Sequence, residues 1–197
     1  MKEKKISKVK NIITKNLSKK KILLLFILTN IVYAIMLTIT IPKVLVYANG
    51  MKILDMIPEG YNKDYINFLF STLGTEGRDA YLFKQIPLDL IYPSLFGITY
   101  CLLYVFIITK LNKQDTPLFY LCLIPIFAGI FDYLENFGII ILLNSYPNIS
   151  ITISKLTSFF SVAKSSLTLI YLAIISITLI ALLIKFIISK NKKAIGK

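Results

Sequence analysis

Apolar residues in this chain come in long blocks, with no alternation of the kind a strand requires. Four stretches, about 21–46, 86–109, 117–143 and 157–189, stay apolar over twenty or more residues. A helix of about 20 apolar residues crosses a hydrocarbon core of about 30 Å, so each block predicts a membrane span. The links 110–116 and 144–156 are short, and short links make antiparallel neighbours. The predicted fold is therefore all-α: a four-transmembrane-helix bundle over 22–189, preceded by a basic segment 1–21 and followed by a basic tail 190–197. The stretch 47–85 is the one long hydrophilic connection. Within it Asn62 is placed to cap a short helix with Ile66, Leu69, Phe70 and Leu73 on one face and Gly74 as its stop. That pattern predicts an interfacial helix resting on the bilayer surface.

Charge refines the topology. The chain holds 23 Lys and Arg against 10 Asp and Glu, a formal charge of +13. Such an excess first suggests nucleic acid, but most of the lysines flank the spans instead of forming a surface patch, so no nucleic-acid partner is expected. Basic residues crowd 1–21, 110–116 and the C-terminal tail. The positive-inside rule then puts both termini in the cytoplasm of a multi-pass cell-membrane protein, with 47–85 and 144–156 outside. Residues 1–21 carry nine lysines and one acid, with Ile6, Val9, Ile13 and Leu17 at helical steps. They read equally as an amphipathic helix or as a basic tail that only sets topology. The lysine-rich termini suit anionic lipids of the bilayer. Val46-Tyr47-Ala48 resembles a signal cleavage site, yet the apolar region before it exceeds the roughly 7–15 residues of a signal core, so an uncleaved anchor is expected.

Composition also removes chemistry. Histidine is absent, which excludes His-based triads and most zinc sites. Cys101 and Cys122 form no C-x-x-C pair and read as small packing residues. No metal and no cofactor is expected.

What remains is polar side chains inside apolar blocks. A charge at mid-bilayer costs about 2.5–3.5 kcal/mol even on lenient scales, so such residues mark sites. In the third span Asp132, Glu135 and Asn136 share one helical face, with Asp132 and Glu135 roughly 16 and 12 Å below the outer end. Ser161, Lys164, Ser165 and Thr168 make a polar stripe on the fourth, with Lys164 roughly 10 Å down. Lys164 with Glu135 is the expected ion pair. Asp89 enters from the second span. If the preceding segment is helical, Arg78, Tyr81, Gln85, Asp89, Tyr92 and Phe96 share its face. Three acids against one lysine leave carboxyls unpaired, and Asp132, as the deepest, is expected to stay protonated.

The motifs G-R-x-x-Y from Gly77, L-D-x-x-Y-P from Leu88, D-x-x-E-N from Asp132 and S-x-x-x-x-x-K from Ser158 resemble a group of small, uncharacterised four-span bacterial membrane proteins. The resemblance implies the same topology and polar site and no particular activity. A looser similarity is to the sterol-isomerase and sigma-2-receptor-like fold, where buried acids bind an amine or relay a proton. Four functions are compatible with these residues: binding of a polar or cationic group or lipid head group; acid/base chemistry on a lipid-soluble substrate; proton- or cation-coupled transport by a dimer; and docking of a partner membrane protein.

Overall fold

A computed structural model describes residues 17–195. The amphipathic reading of the N-terminal segment concerns residues that lie, but for the last few, outside that range. Among the described residues every regular element is helical. Four helices are long and apolar enough to cross a membrane: Lys19–Leu45, Lys63–Lys110, Pro117–Ser145 and Ile151–Asn191. They pack in chain order, first on second, second on third, third on fourth, and the second also reaches the fourth. This polytopic helical membrane protein has two ends. The link 111–116 lies at one, here the link end, where the Lys185 ammonium donates to the Lys110 carbonyl at 2.8 Å. The other, the loop end, holds the connections 46–62 and 146–150.

Three spans carry an irregular stretch, two near the loop end and one at the link end, and an Ile-Pro pair follows each. A π-helical turn at Met36–Thr40 precedes Ile41-Pro42, another at Tyr81–Gln85 precedes Ile86-Pro87, and a 3-10 stretch at Pro117–Leu123 precedes Ile124-Pro125. Proline has no N–H and clashes with the carbonyl four residues back. Those carbonyls belong to Thr38, Phe83 and Leu121, each inside the irregular segment, where a widened or tightened turn takes up the misfit. The two π turns pack against each other, and the Thr40 hydroxyl donates to the Gln85 amide oxygen.

Two boundaries differ from the sequence expectation. The fourth helix begins at Ile151, so the outer link shrinks to 146–150. The helix from Lys63 is capped as expected, the Asn62 side chain accepting from the Tyr65 amide at 2.8 Å, and it breaks at Gly74, whose φ of 61° only glycine adopts at little cost. Beyond Gly74 the chain turns helical again and runs on into the second span. Its apolar face does not rest on a bilayer. Ile66, Leu69 and Phe70 are fully buried and Leu73 nearly so, in one cluster with Val44, Ala48, Ile139 and Leu142. Periodicity identified the buried face; it carried no information on whether lipid or protein would cover it.

A second cluster fills the link end, built from Cys101, Tyr104, Val105, Ile108, Phe119, Cys122 and Tyr171. Both cysteines are buried free thiols. The helices of this half run without a break from Tyr92 and from Ile151.

Candidate functional site

The last paired spans bring charge together. Lys164 Nζ lies 2.8 Å from Asp132 Oδ1 and 2.5 Å from Glu135 Oε2. The expected Lys164–Glu135 pair is present, but Lys164 bridges both acids. Because the fourth helix starts at Ile151, Lys164 lies about 20 Å below its end, level with Asp132 on the antiparallel third helix. Asp132 is thus ion-paired, which corrects its reading as the unpaired acid. The side chain of Glu135 is fully buried.

An unpaired carboxylate that Lys164 does not reach belongs to Asp89. Asp89 is 3% exposed, and its Oδ2 has no hydrogen-bond partner among the described residues. Its position follows from the chain. Pro93 stands four residues on and lacks the N–H that the Asp89 carbonyl would receive in a helix, so the helix breaks between Asp89 and Tyr92. Asn136 repairs that loss: its Nδ2 donates to the Asp89 carbonyl at 3.1 Å. The fully buried Asn136 is therefore a brace between third and second spans. Gly129, two turns away, permits the approach, since a Cβ there would stand 2.7 Å from the Pro93 carbonyl oxygen.

A fourth acid comes from the loop. Asp55 is half-buried and accepts from the Tyr81 hydroxyl at 2.9 Å and from Gln85 Nε2 at 3.4 Å. Burial is the main cause that raises its carboxyl above the ordinary aspartate range; Asp132 adds to the rise, while Lys164 and the Tyr81 and Gln85 hydrogen bonds oppose it. Sequence reading missed Asp55 because it lies in a hydrophilic connection where an acid is unremarkable. Tyr81 and Gln85, both fully buried polar side chains beside Asp89, were the available signal.

These groups surround one cavity of about 680 Å³, walled by all four spans and the loop. Asp55, Asp89, Asp132 and Lys164 line its polar part together with Gln85 and Ser165. Tyr33, Tyr92 and Phe96 line it as a ladder of rings, Tyr33 stacked on Tyr92 at 5.4 Å and Tyr92 5.8 Å from Phe96. Ser161 is placed elsewhere: its hydroxyl donates to the Ile57 carbonyl at 3.2 Å, and the Ser158 hydroxyl accepts from the Tyr61 amide at 2.8 Å, so the fourth span ties down the loop. Arg78 does not join the acids. Its guanidinium donates to the Phe70 carbonyl at 2.8 Å across the Gly74 break and lies 4.5 Å over the Tyr146 ring.

Counted as ionised, the site sets four carboxylates, Asp55, Asp89, Asp132 and Glu135, against one ammonium. Such an excess is stable only if protons or a cation offset it. Among the described residues no group of three or more His, Cys, Asp or Glu has metal-binding geometry. Comparison with known proteins returned no match: no family model, no curated protein and no solved structure is similar enough to lend this chain a fold or an activity.

Proposed function

We propose that the cavity binds a cationic group, with Asp89 as the principal counter-charge and Asp55 and Asp132 completing the polar wall. The observation that carries this reading is a 3%-exposed Asp89 in the cavity wall, its Oδ2 without a partner among the described residues, where Lys164 is already held by two acids. An anionic ligand would meet carboxylates with no free cation to answer them. A cation entering the cavity offsets the excess and supplies the missing partner to Asp89. By the positive-inside pattern of the lysines the loop end faces the exterior, and the site then belongs to the outer half of a cell membrane.

The test is charge-selective stabilisation of the full chain in nanodiscs of zwitterionic lipid. Dodecyltrimethylammonium is titrated against dodecylphosphocholine and dodecyl maltoside, which share its tail. Only the cation should raise the melting temperature, by the equivalent of about 2.7 kcal/mol at a hundredfold excess over Kd. Asp89→Asn should abolish that selectivity. Equal stabilisation by all three, or a response unchanged in the variant, sinks the reading.

A second reading has its own support. The chain of Asp55, Tyr81 and Gln85 links the loop to the cavity through hydrogen-bonding groups, and an acid excess can equally be held as protons. Acid/base isomerisation of a lipid-soluble substrate would use it so. Accumulation of a precursor lipid in a deletion strain is its signature, and an unchanged lipid pool argues against it.

A further inference from the structure

The height of each cavity-lining residue decides what kind of cation can reach Asp89. Counted along the helices from the link end, Asp89 stands about 30 Å above Lys110, and Lys164 about 30 Å above Lys185. With Lys110 and Lys185 taken as the near edge of a hydrocarbon layer about 30 Å thick, the acids fall at its far edge. Phe96 and Leu172 reach about 20 Å above the link end and Leu169 about 24 Å, within the acyl region. The cavity is therefore polar at its top and apolar below.

Its side is open in the acyl region. The first and fourth spans both line the cavity, yet they are not among the closely packed helix pairs. The residues that the fourth span places there are large, apolar and exposed, Leu169 70% and Leu172 48%, while Leu37 of the first span stands level with the acids. The top is roofed instead, by Asp55, Met56 and Pro58 of the loop, which the Ser158 and Ser161 bonds hold to the fourth span. A water-soluble cation would have to pass the roof, whereas a molecule already in the far leaflet has its tail at the depth of the gap.

We infer that the ligand is a cationic amphiphile that enters sideways from the bilayer between the first and fourth spans, its head at Asp89 and its tail against Leu169 and Leu172. This rests on the cation-binding reading and adds to it the tail and the route. A zwitterionic phospholipid fits less well, because its phosphate would face carboxylates while Lys164 is held by Asp132 and Glu135. Each tail methylene that leaves water for the apolar wall tightens binding from solution about fourfold.

The chain has no tryptophan, so Leu169→Trp supplies a single fluorescent reporter at the gap. Leu183→Trp is the control, exposed on the same helix and not part of the cavity. A doxyl-labelled alkyltrimethylammonium is added to nanodiscs carrying either variant. The expected result is saturable quenching at the gap reporter only, reversed by unlabelled dodecyltrimethylammonium and lost with Asp89→Asn, or with Asp55→Asn if the first substitution prevents folding. Charge-selective stabilisation without gap quenching overturns the lateral route and leaves the cation site standing. Equal quenching at both reporters, or quenching indifferent to both acid variants, is ordinary annular lipid and overturns the inference as well. Absence of any charge-selective response removes the site and this proposal together.

Discussion

The two halves of the molecule solve the same packing problem differently. At the link end the unbroken second and fourth helices meet the 3-10 start of the third span through Cys101, Val105, Ile108, Cys122 and Tyr171, with polar groups paired as where the Tyr171 hydroxyl donates to the Tyr100 carbonyl at 2.7 Å. At the loop end two spans are interrupted at Ile-Pro pairs, and four acids, a lysine, Gln85 and Asn136 are buried or half-buried together. Two of the three irregular stretches, Met36–Thr40 and Tyr81–Gln85, give residues to the cavity wall. A further proline, Pro93, frees the Asp89 carbonyl, and that carbonyl is what positions the brace from Asn136. A bundle built only for stability would resemble the link end throughout, because apolar packing in place of a buried ion pair is often neutral or stabilising.

That contrast breaks most sharply at Lys164. Lys164→Met leaves Asp132 and Glu135 buried without their cation, and we expect a loss of about 3–5 kcal/mol. Combining it with Asp132→Asn and Glu135→Gln should restore more than half of that loss in thermal or denaturant unfolding. If the triple variant is no better than the single one, packing and not charge holds these helices. Next comes Gly129→Ala, whose methyl would stand 2.7 Å from the Pro93 carbonyl oxygen, a backbone atom that cannot swing away. About 1–3 kcal/mol of overpacking cost is expected. Gly97→Ala, where the nearest atom is the Pro125 carbonyl oxygen at 3.3 Å, should cost less. Reversal of that order would show that the second and third spans are not registered as described.

Asn136→Ala follows at about 1–3 kcal/mol, the cost of leaving the Asp89 carbonyl without a donor in a buried place. It sharpens the comparison because the link end holds a counterpart. Tyr104→Phe removes a hydroxyl that donates to the Leu118 carbonyl at 3.1 Å, and that bond should be worth about 0.5–1.5 kcal/mol. Melting curves of the two variants side by side decide whether the polar braces of the loop end carry more of the fold.

Much of this was legible in the chain, and the rest was hidden for definite reasons. Block hydropathy fixes the four spans, because no other structure satisfies a backbone over twenty apolar residues. Helical spacing likewise put Asp132, Glu135 and Asn136 on one face and Lys164 opposite them. The start of the fourth helix was misplaced by about six residues, since Ile151–Leu156 is polar enough to read as a loop. That offset turned a bridge between two acids into an expected single pair. Arg78 lies on the predicted face of its helix, but the Gly74 break brings the Phe70 carbonyl within its reach and draws it away from the acids. Nothing in spacing or composition places Asp55 in the site, since only the folded loop carries it to Tyr81 and Gln85.

Asp55 gives the smallest effect and the most specific one, because it separates the loop's share of the acid excess from that of the spans. Its carboxyl is raised above the ordinary value of 3.8, first by burial, then by Asp132, with Lys164, Tyr81 and Gln85 opposing. A raised folded-state value means that the native chain holds this proton more tightly than the unfolded chain does. The stability it contributes is present in full below pH about 3.8 and is lost as pH rises through the folded value. Asp55→Asn keeps the side chain neutral at every pH. The variant should therefore match the native chain near pH 3.5, and melt at a higher temperature than it by neutral pH. Taking the difference between the two proteins cancels the titration of every group that does not interact with Asp55. A difference that stays constant across this range, or that grows towards acid, would place Asp55 in bulk water and take the loop out of the site.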